Sequence, residues 1–432
     1  MLNLIKYFIS LYYWDIVPVG SLKRMQLKKF RKVFEYAKKH SPFYRDFYTK
    51  HGVINLKIDS FEDIQKIPII NKEIMREYGF EKIMTCEKTD EINIHSTSGS
   101  TGEPFRIAYS KFEDYSAHVR LTREYMKHGY TPFKKIVLLS RYYDGHKFEV
   151  EEDLGRIAKL QKKFNLFSRD VISIFEPLDV IIEKIEKSKP YVVWSTPSII
   201  HMLANKLEAG NKRLNIPLLH LMSETISPAQ LKLFRDRVCE SVLDSYGAME
   251  IPGMGFSKND IKYKKLIPNT VFAEVINQRI LNDEKVGDII VTNLINKTMP
   301  FIRYDLGDYV GVLDSTAFPT KKIGRVYGRF DDIITLKNGK SLTYHQSYQL
   351  FRDFHECEQY KFIQEPGGEL RLQLKIKQGS DKPAIKSKVL NLWNKHYKGI
   401  DLHIEWIDQF EIDEKTGKFK VIEKIKNCTN DK

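Results

Sequence analysis

Between His95 and Pro104 the chain reads His-Ser-Thr-Ser-Gly-Ser-Thr-Gly-Glu-Pro, hydroxyl side chains gathered around two glycines directly after the strand-like Ile92-Asn93-Ile94. Glycine lets a backbone turn and approach a ligand closely, and the amides and hydroxyls can then cradle phosphate oxygens. No Gly-Lys-Ser/Thr follows, so this is not a phosphate loop of the Walker type. On composition alone a flexible polar hairpin is an equal reading. Four further segments carry residues able to do chemistry: Ser245-Tyr246-Gly247-Ala248-Met249-Glu250, Arg303-Tyr304-Asp305-Leu306-Gly307-Asp308, Gly328-Arg329-Phe330-Asp331-Asp332, and Lys415-Thr416-Gly417-Lys418-Phe419.

Taken together and in this order, the five segments resemble the adenylate-forming superfamily of acyl-CoA synthetases, peptide-synthetase adenylation domains and luciferases. TSGSTGEP is similar to its phosphate loop, SYGAME to its YGxTE motif and RYDLGD to RYRTGD. GRFDD, with Ile333 and Gly339 after it, is similar to the GRxDDxI…G hinge, and KTGKF to the C-terminal TxxGK segment, although Thr416 stands closer to the glycine than that pattern has it. Near the N-terminus, AKKHSPFYRDFYTKHG and IPIINKEIM resemble the start of the phenylacetate-CoA ligase branch, which includes the CapK proteins of capsule biosynthesis.

The resemblance implies an enzyme that uses ATP and Mg2+ to join a carboxylate to AMP, then passes the acyl group to an acceptor: coenzyme A, an amine or a sugar hydroxyl. Thr97, Ser98, Gly99, Ser100, Thr101 and Gly102 would hold the β- and γ-phosphates. Tyr246, followed by Gly247, would lie against the adenine, and Glu250 would hold the Mg2+. Asp308 would accept hydrogen bonds from both ribose hydroxyls, a task for an ionised carboxylate. Arg329 would contact ribose or phosphate, and Asp331 would be the pivot of a mobile small domain. Lys418 would reach the α-phosphate and the carboxylate, with Lys420 as its rival. Where the family usually has Thr, this chain has Met249, which keeps a catalytically inactive member with a scaffold role among the alternatives.

The elements that must position these residues read as α/β: a large N-terminal domain of parallel or mixed sheets flanked by helices, residues 1–328 with a helical part about 1–90, and a small mobile α+β domain, 329–432. Phe30, Val33, Phe34 and Ala37 mark one face of a helix over Ser21–His40, and Phe43, Tyr44, Phe47 and Tyr48 an aromatic knot after it. Ser60 and Asp63 suit a helix start. Lys134–Ser140, Pro190–Ser195, Leu218–Met222 and Ser241–Tyr246 read as strands, with helices opening at Thr196-Pro197 and at Ser227-Pro228, the latter running through Cys239. From Thr270 to Val312 the strands come faster, as in an antiparallel region. Candidate substrate-pocket segments are Ser140-Arg141-Tyr142-Tyr143, Trp194–Ser198 and Ser223-Glu224-Thr225, with Arg141 either facing an anionic substrate or lying on the surface.

The chain has 432 residues, 42% hydrophobic and 29% charged, a globular balance. Its net charge of +14 comes mainly from dispersed lysines, and no recognised nucleic-acid motif accompanies it. Nucleic acid is therefore not an expected partner. Cys86, Cys239, Cys357 and Cys428 have no CxxC spacing, which suits a reducing cytoplasm. The segment Met1–Val19 is apolar but interrupted by Lys6 and Asp15, too short and polar to span a membrane. Tyr12, Tyr13 and Trp14 suit either packing on the protein's own surface or a place beside the inner membrane.

Overall fold

Parallel strands covered on both faces need near-continuous apolar runs. The runs around Ile136, Val192 and Ile216 supply them, and they form the middle of an eight-stranded sheet. The computed structural model describes residues 2–87, 89, 91–96, 105–140, 166–313, 320–329, 333–351, 354, 356–410 and 420–425. From one edge the strand order is Lys322–Gly324, Tyr263–Leu266, Ile251–Lys258, Cys239–Ala248, Ile216–Leu221, Val192–Ser195, Ile136–Ser140 and Arg169–Ser173. The last five are mutually parallel and the first three join antiparallel. Helices Leu178–Ser188, Pro197–Ala209 and Pro228–Arg237 connect the parallel strands.

Of the differences from the sequence reading, one boundary and one cap have clear physical reasons. The helix opened by Pro228 stops at Arg237, because the carbonyls of Arg237 and Val238 accept from the amides of Leu214 and Ile216. Cys239 therefore starts a strand. Thr196 precedes the helix Pro197–Ala209, but its side chain accepts no helix amide; the Glu224 carboxylate takes the Ser198 amide at 2.8 Å instead. Ser60 and Asp63 do form a capping box.

A second sheet of four antiparallel strands, Val271–Leu281, Glu284–Asn293, Tyr304–Gly311 and Val326–Arg329, carries the fast-alternating region. The N-terminal helices Val19–His40 and Pro42–Lys50 share its core, in which Phe30, Phe34, Phe43, Tyr44 and Tyr48 are buried with Phe272, Phe301 and Ile302. Burial of each such ring contributes about 1.5–3 kcal/mol before ordering costs are set against it. Strands Ile92–Ser96 and Arg106–Ser110 form a separate hairpin closed at Ser96 and Arg106.

Residues beyond the hinge-like motif build a mixed sheet in the order His403–Trp406, Leu370–Ile376, Cys357–Gln364 and Ile422–Lys424. Helices Tyr344–Phe351 and Lys382–His396 accompany it. Its core, including Phe362, Leu372, Val389 and Trp393, is drawn from residues 334–422. The fold is thus mixed α/β with a small α+β C-terminal part.

Candidate active site

In open α/β sheets, ligands sit beyond the carboxyl ends of parallel strands. Here Ser140, Trp194, His220, Ser245 and Tyr246 lie at or near those ends and line one cleft of about 2990 Å³. The cleft is also lined by Lys72, Glu250, Tyr304, Asp308 and Arg329, and on its far side by Tyr360, Lys375 and Lys420 from the C-terminal part.

Two hydrogen bonds organise the centre. The Tyr246 hydroxyl donates to Asp308 Oδ2 at 2.7 Å. Burial first, then the Asp308 charge, holds the Tyr246 phenol far above its ordinary range, so it keeps its proton and donates. The Tyr304 hydroxyl donates to Glu250 Oε1 at 3.0 Å, and its own proton is likewise held by burial and by the Glu250 charge. Glu250 is buried, and its backbone carbonyl accepts from Asn293 Nδ2 at 2.9 Å.

Gly247 makes this geometry sterically possible. A Cβ there would lie 2.6 Å from the Gly253 amide nitrogen and 2.9 Å from the Ile251 carbonyl oxygen. The pairing of the two strands shifts at this point, between Tyr246 and Ala248, as a bulged turn requires. Met249 exposes 39% of its surface and lines the cleft, while its carbonyl accepts from the Tyr109 hydroxyl.

The segment Arg303–Asp308 divides its work. Arg303 is buried, with φ 47°, and grips Glu274 through Nε and Nη2, both at 2.9 Å. Its Nη1 donates to the carbonyls of Gln65 and Ile67. Tyr304 holds Glu250, and Asp305 accepts from the Gly307 amide at 2.7 Å. Asp308 stands opposite Arg329 in the antiparallel register. The Arg329 charge is felt at both Tyr246 and Lys72.

Farther along the floor, His220 is buried between the Tyr125 hydroxyl, 2.7 Å from Nδ1, and Ser245 Oγ, 2.9 Å from Nε2. Ser245 Oγ gives its proton to the Leu221 carbonyl, so Nε2 donates and Nδ1 accepts. Burial pushes the His220 imidazole down to about 3, fixing it neutral. The Glu224 carboxylate bonds the Ser198 hydroxyl at 2.9 Å as well as its amide.

Of the residues expected from sequence, Tyr246, Gly247, Glu250, Asp308 and Arg329 line this one cleft. The loop Thr97, Ser98, Gly99, Ser100, Thr101 and Gly102 lies outside the described residues, as do Asp331, Lys418 and Arg141–Tyr143. Lys420, the rival lysine, is on the cleft wall. Sequence reasoning missed Lys72, whose ammonium is held below its usual range by burial and by Arg76 while Glu250 pulls it back. It sits in the quoted IPIINKEIM segment, which was the available signal. Tyr304 was quoted but given no task.

For Mg2+, the described residues hold no cluster of three or more His, Cys, Asp or Glu. One buried carboxylate facing the cleft, with phosphates and waters completing the shell, is how this ion is commonly bound. Glu250 fits that role.

No family model matches the chain. It is 22% identical over 345 residues to a phenylacetate-coenzyme A ligase of Pseudomonas putida, covering 75% of this chain and 74% of that one. Protein CapK of Staphylococcus aureus is 24% identical over 330 residues, covering 73% and 69%. Among solved structures, 2-hydroxyisobutyryl-CoA ligase in the postadenylation state, in complex with 2-HIB-AMP, superposes with a TM-score of 0.73 at 17% identity, covering 95% and 91%. The motif order, the shared fold and these relatives agree: the chain is similar to the phenylacetate-CoA ligases and to CapK, and it has the fold of the adenylate-forming ligases.

Proposed function

We propose that this chain activates a small carboxylic acid with ATP and transfers the acyl group to coenzyme A. The observation that carries the reading is the pairing of Tyr246 with Asp308 and of Glu250 with Tyr304 at the centre of one cleft. In the first half-reaction a carboxylate oxygen attacks the α-phosphorus, the bond to the bridging oxygen breaks, and pyrophosphate leaves. In the second, the acceptor attacks the acyl carbon and AMP leaves, the acceptor's proton passing to solvent or base.

Each residue's task follows from its surroundings. Tyr246 offers a ring face to adenine while its hydroxyl fixes Asp308 for the ribose. Glu250 would hold Mg2+, which neutralises phosphate charge when bound. Arg329, opposite Asp308, supplies positive charge for ribose or phosphate. The segment Thr97–Gly102, by the resemblance, cradles the β- and γ-phosphates. Lys418, with Lys420 as its rival, would bring charge to the α-phosphate from the small domain, 329–432, which would turn about Asp331.

The substrate divides into two readings. An aryl acid of the phenylacetate kind follows from the first relatives, and an acid of envelope polysaccharide synthesis, with an amine or sugar hydroxyl as acceptor, from the likeness to CapK. A cytoplasmic place of work suits both, supported by Cys86, Cys239 and Cys357 standing as free thiols.

ATP–pyrophosphate exchange across aryl, fatty, amino and uronic acids tests the proposal. Exchange with one class, lost in Lys418→Ala, is the expected outcome. Exchange lost in Lys420→Ala and kept in Lys418→Ala would transfer the role to the rival. Bound ATP with no exchange for any acid would favour an inactive member, with Met249 the first suspect.

A further inference from the structure

The helix Leu2–Ile16 is apolar on more than the face it buries. Tyr7, Leu11 and Trp14 pack inward, and the Tyr7 hydroxyl meets Thr270 Oγ1 at 3.1 Å. On the outside, Ile5, Ile9, Tyr12, Tyr13 and Ile16 are exposed, as is Val19 at the start of the next helix. At 3.6 residues per turn the first five fall within about 100° of arc, so they make one stripe. Ile9 exposes 61% and Ile16 79%. A contiguous apolar row of this kind marks a surface that something covers.

The surrounding charge identifies the occupant. Residues 1–34 carry seven basic side chains and one acid, Asp15; Lys29 turns inward to Asn269 and Arg31 pairs with Asp59, which leaves five cations, Lys6, Lys23 and Arg24 among the exposed ones. Asp15 is already engaged by Arg123 and Lys127, with Lys265 at 4.0 Å. Exposed Lys6 borders the stripe on its other side, and exposed Lys23 follows Val19 by one helical turn. A second copy of this chain would bring the same cations against them, with a net charge of +14 on each molecule opposing the encounter. An anionic lipid surface answers both features: aliphatic side chains enter the acyl boundary, tyrosines sit at headgroup level, and lysines meet the phosphates.

We infer that the outer face of the helix Leu2–Ile16 seats the protein on an anionic membrane surface, lying in the interface without crossing it. No helix among the described residues is long and apolar enough to span a bilayer.

Co-sedimentation of the full-length protein with phosphatidylcholine vesicles, and with vesicles of equal parts phosphatidylcholine and phosphatidylglycerol, tests this. The expected result is binding to the anionic vesicles only, weakened by salt and by Lys6→Glu with Lys23→Glu. The pair Ile9→Ser and Ile16→Ser should weaken it by about tenfold or more. These side chains are exposed, so an unchanged melting curve confirms that the fold survives. Absence of binding to anionic vesicles, or binding indifferent to the isoleucine pair, overturns the inference. So does a dimer in equilibrium sedimentation that the isoleucine pair dissociates, since a second copy would then cover the stripe.

Discussion

The Tyr246 hydroxyl and Asp308 Oδ2, 2.7 Å apart, join the end of a central-sheet strand to the antiparallel sheet. Each fixes the other, so the proposed adenine and ribose contacts form one preorganised unit. A hydrogen bond to a charged group contributes about 1.5–3 kcal/mol net. Tyr246→Phe keeps the ring and loses this bond, and ATP affinity should fall by about tenfold in calorimetry. Asp308→Ala should cost more. Wild-type affinity in Tyr246→Phe would remove the hydroxyl from any positioning role.

Tyr304 is expected to act on the metal through Glu250. Tyr304→Phe should raise the Mg2+ concentration needed for half-maximal exchange by roughly tenfold, with little change once Mg2+ saturates, since a hydrogen bond to a charged carboxylate contributes about 1.5–3 kcal/mol. Glu250→Gln should reduce the saturated rate as well. A Mg2+ titration of both variants separates the two effects, and identical titrations for Tyr304→Phe and wild type would sink the idea.

Gly247→Ala has no room for its methyl group beside the Gly253 and Ile251 backbone. Overpacking of this kind costs about 1–3 kcal/mol, and the turn must move to relieve it. Lowered melting temperature together with weakened ATP binding is the expected pair of outcomes. A variant that melts and binds normally would show that the turn yields freely.

Arg303 belongs to a motif read as catalytic, yet its partners are Glu274 and the carbonyls of residues 65 and 67. Removing one partner of a buried pair costs about 3–5 kcal/mol. Arg303→Ala should therefore shift the denaturation midpoint strongly. If soluble protein is recovered, its rate per folded molecule should change far less.

Acid should unfold this protein early. His118 and His201 are pushed down to about 4 and His220 to about 3, each mainly by burial, from an ordinary 6.5. Below 6.5 the unfolded chain takes up protons that the native protein refuses. Stability is fully present above that pH and is lost as pH falls toward 4, by about 1.4 kcal/mol per pH unit for each group. Denaturant midpoints between pH 7 and 4 measure the slope, and His220→Gln should flatten it. An unchanged slope in that variant would mean His220 is not held neutral.

Much of this architecture was legible in the chain because its periods and punctuation agree. Apolar runs announced the parallel strands, Ser60 and Asp63 a helix start, and three of the five short segments, those holding Tyr246, Asp308 and Arg329, meet in one cleft. What escaped were relationships set by pairing. Cys239 looks helical until Ile216 claims its neighbour's carbonyl. Glu224 caps a helix whose own Thr196 seemed sufficient. Tyr304 reads as an ordinary motif aromatic, and only the meeting of two sheets shows that it holds Glu250. Lys72 sits far in sequence from Tyr246, Glu250, Asp308 and Arg329, so no local spacing ties it to them.

The aromatic knot also sets a schedule for the chain as it is made. Tyr44 finds its partners at Pro300 and Ile302, the latter 258 residues later. At about 5–20 residues per second, the ribosome delivers that partner roughly 13–50 s after Tyr44 emerges. Through that interval Phe43, Tyr44, Phe47 and Tyr48 can pack only against early partners such as Phe34 and Tyr78, and the half of their core that holds Phe272 and Phe301 is still to be made.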